Sequence, residues 1–117
     1  MWGRPWGGWL HAVDADTGGW KWRLKSNNPI VGAVTPTAGG FVFFGDAGGN
    51  FYAVDVSNGE KLWGQKMSGA IGGVTTYMVN GAQKVAVATG LISPAWPARP
   101  STAKIAILGV ESTSAGQ

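Results

Sequence analysis

Residues Asn50–Trp63 read NFYAVDVSNGEKLW. Phe51 and Ala53 alternate with Tyr52 and Val54, the period-2 pattern of a strand with two different faces. Ser57-Asn58-Gly59 follows, a turn in which the Gly supplies positive φ without steric cost. Glu60–Trp63 begins the return strand. Asp55 stands where its carboxylate can accept N–H bonds from the turn, and Trp63 is a large apolar body that needs a surface to be buried against. The stretch predicts a β-hairpin.

The same pattern is written once before. Ala12, Asp14, Gly18 and Trp22 recur as Ala53, Asp55, Gly59 and Trp63, each 41 residues later. The shared form is A-x-D-x-x-x-G-x-x-x-W. A self-similar period of this length is that of one four-stranded blade of a β-propeller.

The bulk composition agrees. The chain has 117 residues, 44% hydrophobic and 13% charged, which excludes a disordered tail. Twenty Gly residues favour turn-rich β structure, and seven Trp require a repeated burial site. There is no Cys, so no disulfide framework and no thiolate metal site. The net charge is +3, but Lys and Arg are scattered, without the basic patch or module of a nucleic-acid binder. No apolar run reaches the roughly 18 residues of a membrane span. Residues 1–8 do not have the form of a signal peptide.

Taken in order, the chain predicts nine short strands and no helix. They are Trp9–Asp14, Gly19–Leu24, Ile30–Thr37, Phe41–Gly45, Asn50–Asp55, Glu60–Lys66, Gly73–Val79, Gln83–Thr89 and Lys104–Val110. Pro36 cannot donate to a ladder and marks the third strand as irregular. Phe41–Gly45 is a continuous apolar run, as in a strand buried on both faces. Asn80-Gly81 is a strong hairpin signal. Residues 90–102 read as a long loop. Grouping by fours predicts the outer half of one blade (8–24), a complete blade (30–66), an incomplete last blade (71–110) and a tail (111–117). The fold expected is therefore all-β, about two blades of four-stranded antiparallel sheets. Their open edges predict poor solubility or oligomerisation of the chain alone.

The doubled motif resembles the tryptophan-docking motif of the PQQ-dependent dehydrogenases, eight-bladed quinoproteins of the alcohol and glucose dehydrogenase type. Thr37–Asp46, TAGGFVFFGD, resembles the family segment T-A-G-G-L-V-F-x-G-D. Thr76-Tyr77 with Asn80-Gly81 and Gln83–Val87 resembles its hairpin P-x-T-Y-x-x-x-G-x-Q-Y-V-A-V. The likeness runs from about Trp9 to Val110 in the family's C-terminal order. It implies a partial eight-bladed propeller from the C-terminal part of a periplasmic enzyme. Its cofactor would be PQQ, with Ca²⁺ or a lanthanide, and it would oxidise an alcohol or sugar by hydride transfer to the quinone. The remaining blades, a small alcohol or sugar and an electron acceptor (a quinone or cytochrome c) would be its partners.

In the docking motif the Ala leaves room for an indole, the Asp and Gly fix the turn, and the Trp locks blade to blade. This makes Ala12, Asp14, Gly18, Trp22, Ala53, Asp55, Gly59 and Trp63 structural. The catalytic Asp and the metal ligands of the family belong to upstream blades, so no catalytic or metal-binding residue is expected here and the chain alone is expected to be inactive. Two positions are cofactor candidates by resemblance. Asn50 stands where many members carry a Trp near PQQ and the membrane glucose dehydrogenase branch carries Asn; it reads equally as a simple turn residue. Trp96-Pro97 resembles a family G-x-G-G-W-P loop, in a longer version lacking the double Gly.

Other chemistry is weaker. Asp14-x-Asp16-x-Gly18 opens like a calcium loop, but Lys25 stands where the bidentate Glu of an EF-hand is required. A single His, His11, builds no metal cluster or triad and reads as a strand surface residue. Gly45–Gly49 lacks the Lys-Ser/Thr of a phosphate loop. A second functional class stays open: a non-catalytic propeller of the PQQ-repeat type, an outer-membrane assembly scaffold whose surface binds protein.

Overall fold

The computed structural model describes residues 7–90 and 102–110. Within them the chain forms nine strands and no helix. These are β1 (Gly8–Val13), β2 (Trp20–Ser26), β3 (Val34–Pro36), β4 (Phe41–Gly45), β5 (Asn50–Asp55), β6 (Lys61–Lys66), β7 (Ile71–Val79), β8 (Ala82–Thr89) and β9 (Lys104–Val110). They make three antiparallel sheets, ordered β1-β2, β3-β4-β5-β6 and β7-β8-β9. The sheets stack face to face in chain order, as in a partial β-propeller.

The third strand is shorter than the apolar run Ile30–Thr37 predicts. Only Val34–Pro36 pair with β4, while Ile30 turns into the core between the first two sheets. Ala33 N–H donates to the Gly72 carbonyl at 2.9 Å, so this stretch spends its backbone on the next sheet instead of on its own ladder. Pro36 is tolerated because β3 is the edge strand of its sheet. Conversely, β7 begins two residues earlier than expected, at the fully buried Ile71.

Alternation along the strands gives each sheet two apolar faces, and this is what stacks them. Directly paired residues share a face. On the first sheet Leu10, Trp22 and Leu24 point forward, onto Val42, Phe44, Tyr52 and Val54 of the second. On the second sheet Phe43, Phe51 and Ala53 point forward, onto Ile71, Val74, Val85 and Val87 of the third. The run FVFFG is accordingly buried on both sides. The Asn80-Gly81 hairpin has both central residues at positive φ, 50° and 79°, as a type I′ turn requires.

Close approach at the second seam depends on one missing side chain. A Cβ at Gly45 would overlap the side chain of Ile71. Gly45→Ala is expected to lower stability by about 1–3 kcal/mol, the usual cost of an overpacked core. Urea unfolding followed by tryptophan fluorescence should show an earlier midpoint with an unchanged slope.

Candidate functional site

The docking residues gather at the hairpin turns, and at the first seam they hold one sheet to the next. Asp14 Oδ1 accepts N–H bonds from Asp16 (2.9 Å) and Thr17 (3.1 Å). Asp55 Oδ1 accepts the Ser57 hydroxyl (2.6 Å) and the Ser57 N–H (2.8 Å). The carbonyls of the same two residues accept the N–H groups of Gly18 and Gly59, both at 2.8 Å, and these glycines have φ of 74° and 75°. The Thr17 and then the Asp16 N–H hold the Asp14 carboxyl below the ordinary aspartate range. The Ser57 hydroxyl and then its N–H do the same for Asp55.

These turns set the indoles. Ala12 pairs directly with Trp22 and Ala53 with Trp63, each followed at once by a bulge. Trp22 Nε1 donates to the Val56 carbonyl at 2.9 Å, crossing to the next sheet. Its benzo ring lies on Gly59: a Cβ there would sit 2.6 Å from Trp22 Cε3. Gly59 thus turns its own hairpin and also receives the indole of the preceding repeat. Trp63 meets Phe51 edge-on, with centroids 5.8 Å apart, and remains 41% exposed. It lines a cleft of about 680 Å³ between the second and third sheets, with Phe41, Phe43, Val85, Leu108 and Val110.

A second, polar latch closes each seam at the opposite end of the strands. The carboxylate of Asp46 is 1% exposed. Its Oδ2 accepts the Ser26 hydroxyl from the first sheet at 2.9 Å, and its Oδ1 accepts the Gly48 and Asn50 N–H groups, both at 3.0 Å. The Asp46 carbonyl accepts the Ile71 N–H of the third sheet at 3.1 Å, so this one residue ties all three sheets. In the next seam Thr89, 5% exposed, takes the place of Asp46, and the Ser68 hydroxyl stands 3.3 Å from its own. The Tyr52 hydroxyl nearby is pushed above its ordinary value, by burial first and the Asp46 charge second.

Sequence reading missed this latch. Asp46 read as the last letter of an apolar segment and as a turn residue. The available signal was a Ser four residues after Trp22 and five after Trp63, matched by a polar residue at the end of β4 and of β8.

The two cofactor candidates fare differently. Trp96 lies outside the described residues. Asn50 Nδ2 stands 3.1 and 3.0 Å from the two Asp46 oxygens. Two oxygens of one carboxylate are too close together to take the diverging hydrogens of one NH₂, so one N–H is shared between them and the other has no acceptor among the described residues. Asn50 therefore offers one donor and its Oδ1 to a small cavity of about 120 Å³, shared with Ser26, Asn28, Tyr52 and Lys61. Ligand pockets run to about 300–1,000 Å³. The cavity is at most one wall of a site for a tricyclic quinone. Among the described residues no group of three His, Asp or Glu is placed to hold a metal ion.

A family model described as outer membrane protein assembly factor BamB matches residues 7–95. The chain belongs to this PQQ_2 family. It is 46% identical over 71 residues to lupanine 17-hydroxylase [cytochrome c] of a Pseudomonas species, covering 60% of this chain and 10% of that protein. Quinohemoprotein alcohol dehydrogenase from Comamonas testosteroni superposes with a TM-score of 0.77 at 28% identity, over 88% of this chain and 16% of that one. A europium-containing methanol dehydrogenase superposes with a TM-score of 0.70 at 33% identity, over 76% and 16%. The PQQ_2 chain thus spans between a tenth and a sixth of the length of these relatives.

Two outcomes are expected. Gly59→Ala drives a methyl into the Trp22 ring at a left-handed φ and should cost at least the 1–3 kcal/mol of overpacking, whereas in a Trp22→Phe background the added cost should shrink. A double-mutant cycle in urea measures the coupling. In acid, both Asp14 and Asp55 have folded pKa values below the unfolded value of about 3.9, so their contribution is complete above that pH and is lost as pH falls through the folded values. Stability should therefore drop below about pH 3.9, and Asp14→Asn with Asp55→Asn should flatten that drop.

Proposed function

We propose that this chain is the C-terminal part of a PQQ-dependent dehydrogenase that oxidises an alcohol or sugar. The observation that carries it is the doubled docking motif, set in consecutive sheets with Trp22 of one laid on Gly59 of the next. The likeness to quinohemoprotein alcohol dehydrogenase over 88% of the chain supports the same reading.

When bound, pyrroloquinoline quinone supplies the hydride acceptor. The residues of this chain bind and orient. Asn50 is the proposed donor to a cofactor oxygen through its second N–H, with Asp46 fixing the amide in one orientation, since a carboxylate only accepts. The apolar seams behind it pack sheet on sheet. Trp96 is proposed as a second wall of the cofactor site. The metal, Ca²⁺ or a lanthanide, would take its ligands from blades other than those described; the europium content of a structural relative supports a metal of this kind. The electron acceptor would be a cytochrome c or a quinone, as the name of the lupanine relative suggests for the former. A periplasmic location goes with this reading.

The family description favours one alternative, a non-catalytic propeller that binds protein in outer-membrane assembly. Titration of the complete protein with PQQ and Ca²⁺, followed by absorbance and dye-linked oxidation of alcohols and glucose, separates the two. Binding and turnover are expected. Asn50→Ala should weaken PQQ affinity about two- to tenfold, the worth of one hydrogen bond. Absence of both binding and oxidation in the complete protein would leave the scaffold reading.

A further inference from the structure

Two of the five asparagines stand directly before a glycine, in Asn58-Gly59 and Asn80-Gly81. Such a pair carries its own reaction. The glycine amide nitrogen, once its proton has passed to water, attacks the asparagine Cγ. With no Cβ on the glycine, little crowds the approach. A C–N bond forms, the Cγ–Nδ2 bond breaks, ammonia leaves and a cyclic imide remains. Water then opens either carbonyl of the ring, giving aspartate or isoaspartate. The step needs no catalyst, but the side chain and the following amide must rotate onto each other. The sequence treats the two pairs alike, and the fold does not.

The first pair is clamped. Asn58 Oδ1 accepts the Glu60 N–H at 2.8 Å. The nucleophile itself, the Gly59 N–H, donates to the Asp55 carbonyl at 2.8 Å. Gly59 is buried, and the Trp22 ring lies so close that a Cβ there would sit 2.6 Å from Trp22 Cε3. Rotation about the peptide between Asn58 and Gly59 must break both bonds and lift the indole.

The second pair is open. Asn80 and Gly81 are both exposed, at the tip of the two-residue turn between β7 and β8. Nothing lies within 4 Å of where a Gly81 Cβ would stand. Among the described residues no hydrogen bond holds the Asn80 side chain or the Gly81 N–H. Asn80 is also the one non-glycine residue at positive φ among them, at 50°, a conformation that side chains adopt reluctantly. A neighbouring sheet does not cover such a turn. The corresponding connection of the second sheet, between β3 and β4, has a sheet packed on either side, and Ala38 and Gly39 there stay exposed.

We propose that Asn80 is a site of spontaneous deamidation and isoaspartate formation in the folded protein, and that the Trp22 joint protects Asn58 from the same fate. The product exchanges a neutral amide for a carboxylate. Its isoaspartyl form runs an extra carbon through the backbone, which the tight two-residue turn does not accommodate. β7 starts beside Asp46 and ends at this turn, so the change lies at the far end of the sheet from Asn50. The inference therefore rests on neither reading of the function, and its test needs no cofactor.

The complete protein is incubated at mildly alkaline pH, folded and, in parallel, unfolded in guanidinium chloride. Trypsin separates Met67–Lys84, which carries Asn80, from Ser26–Lys61, which carries Asn58. Mass spectrometry with fragmentation follows the conversion of each asparagine over time. In the folded protein Asn80 should convert at least about tenfold faster than Asn58, the worth of the two hydrogen bonds that must open at the slower site. In the unfolded chain the two rates should converge. Equal rates in the folded protein, faster conversion at Asn58, or a difference that survives unfolding would overturn the proposal.

Discussion

The joint between the first two sheets depends on one indole laid flat on a glycine of the neighbouring sheet. Trp22 covers apolar surface, places its N–H on the Val56 carbonyl and tolerates no atom at the Gly59 Cβ position. The hydrogen bond fixes where the ring lies, and the ring fixes the distance between sheets. Neither sheet is self-sufficient. A two-stranded hairpin such as β1-β2 is marginal in water, and it gains its stability from the face it lends to β4 and β5.

Each seam has an apolar middle and a hydrogen-bonded end. Leu10, Val42, Phe44 and Val54 fill the middle of the first, where dispersion and burial act without direction. Direction comes from the ends: in the first seam the indole bond near the hairpin turns, and in both seams the Asp46 or Thr89 latch at the other extremity. The same latch holds Asn50 in place, so the residue put forward for the cofactor is oriented by the joint between blades. A change at that joint reaches the proposed site without touching it.

How far the sequence shows all this follows from what each contact needs. The doubled A-x-D-x-x-x-G-x-x-x-W pattern revealed the hairpins, since turn chemistry is local and its residues are near each other in the chain. The strands of the last sheet were readable for the same reason, from alternation and Asn80-Gly81. What was hidden depends on residues far apart. Ile30 looked like part of a strand because it is β-branched, yet its side chain is drawn into a core made by β1 and β5. Gly59 looked like a turn residue because nothing in its neighbourhood mentions Trp22. Asp46 looked like an ordinary turn former, because its burial comes from Ser26 and Ile71, elements of the sheets on either side. Asn50 showed its position but not that half its donors are already committed.

The two latches differ in chemistry, a carboxylate in the first and a hydroxyl in the second. The apolar faces they accompany differ too, with Leu10, Trp22 and Leu24 offered to the first seam and Phe43, Phe51 and Ala53 to the second. The Asp46 carboxyl group receives five donor contacts. Four of those contacts come from Gly48 and Asn50 in its own loop, and the fifth, from the Ser26 hydroxyl, crosses the seam. The Asp46 carboxylate is thus steadied by its own hairpin, and the neighbouring sheet closes the joint by bringing up a single hydroxyl.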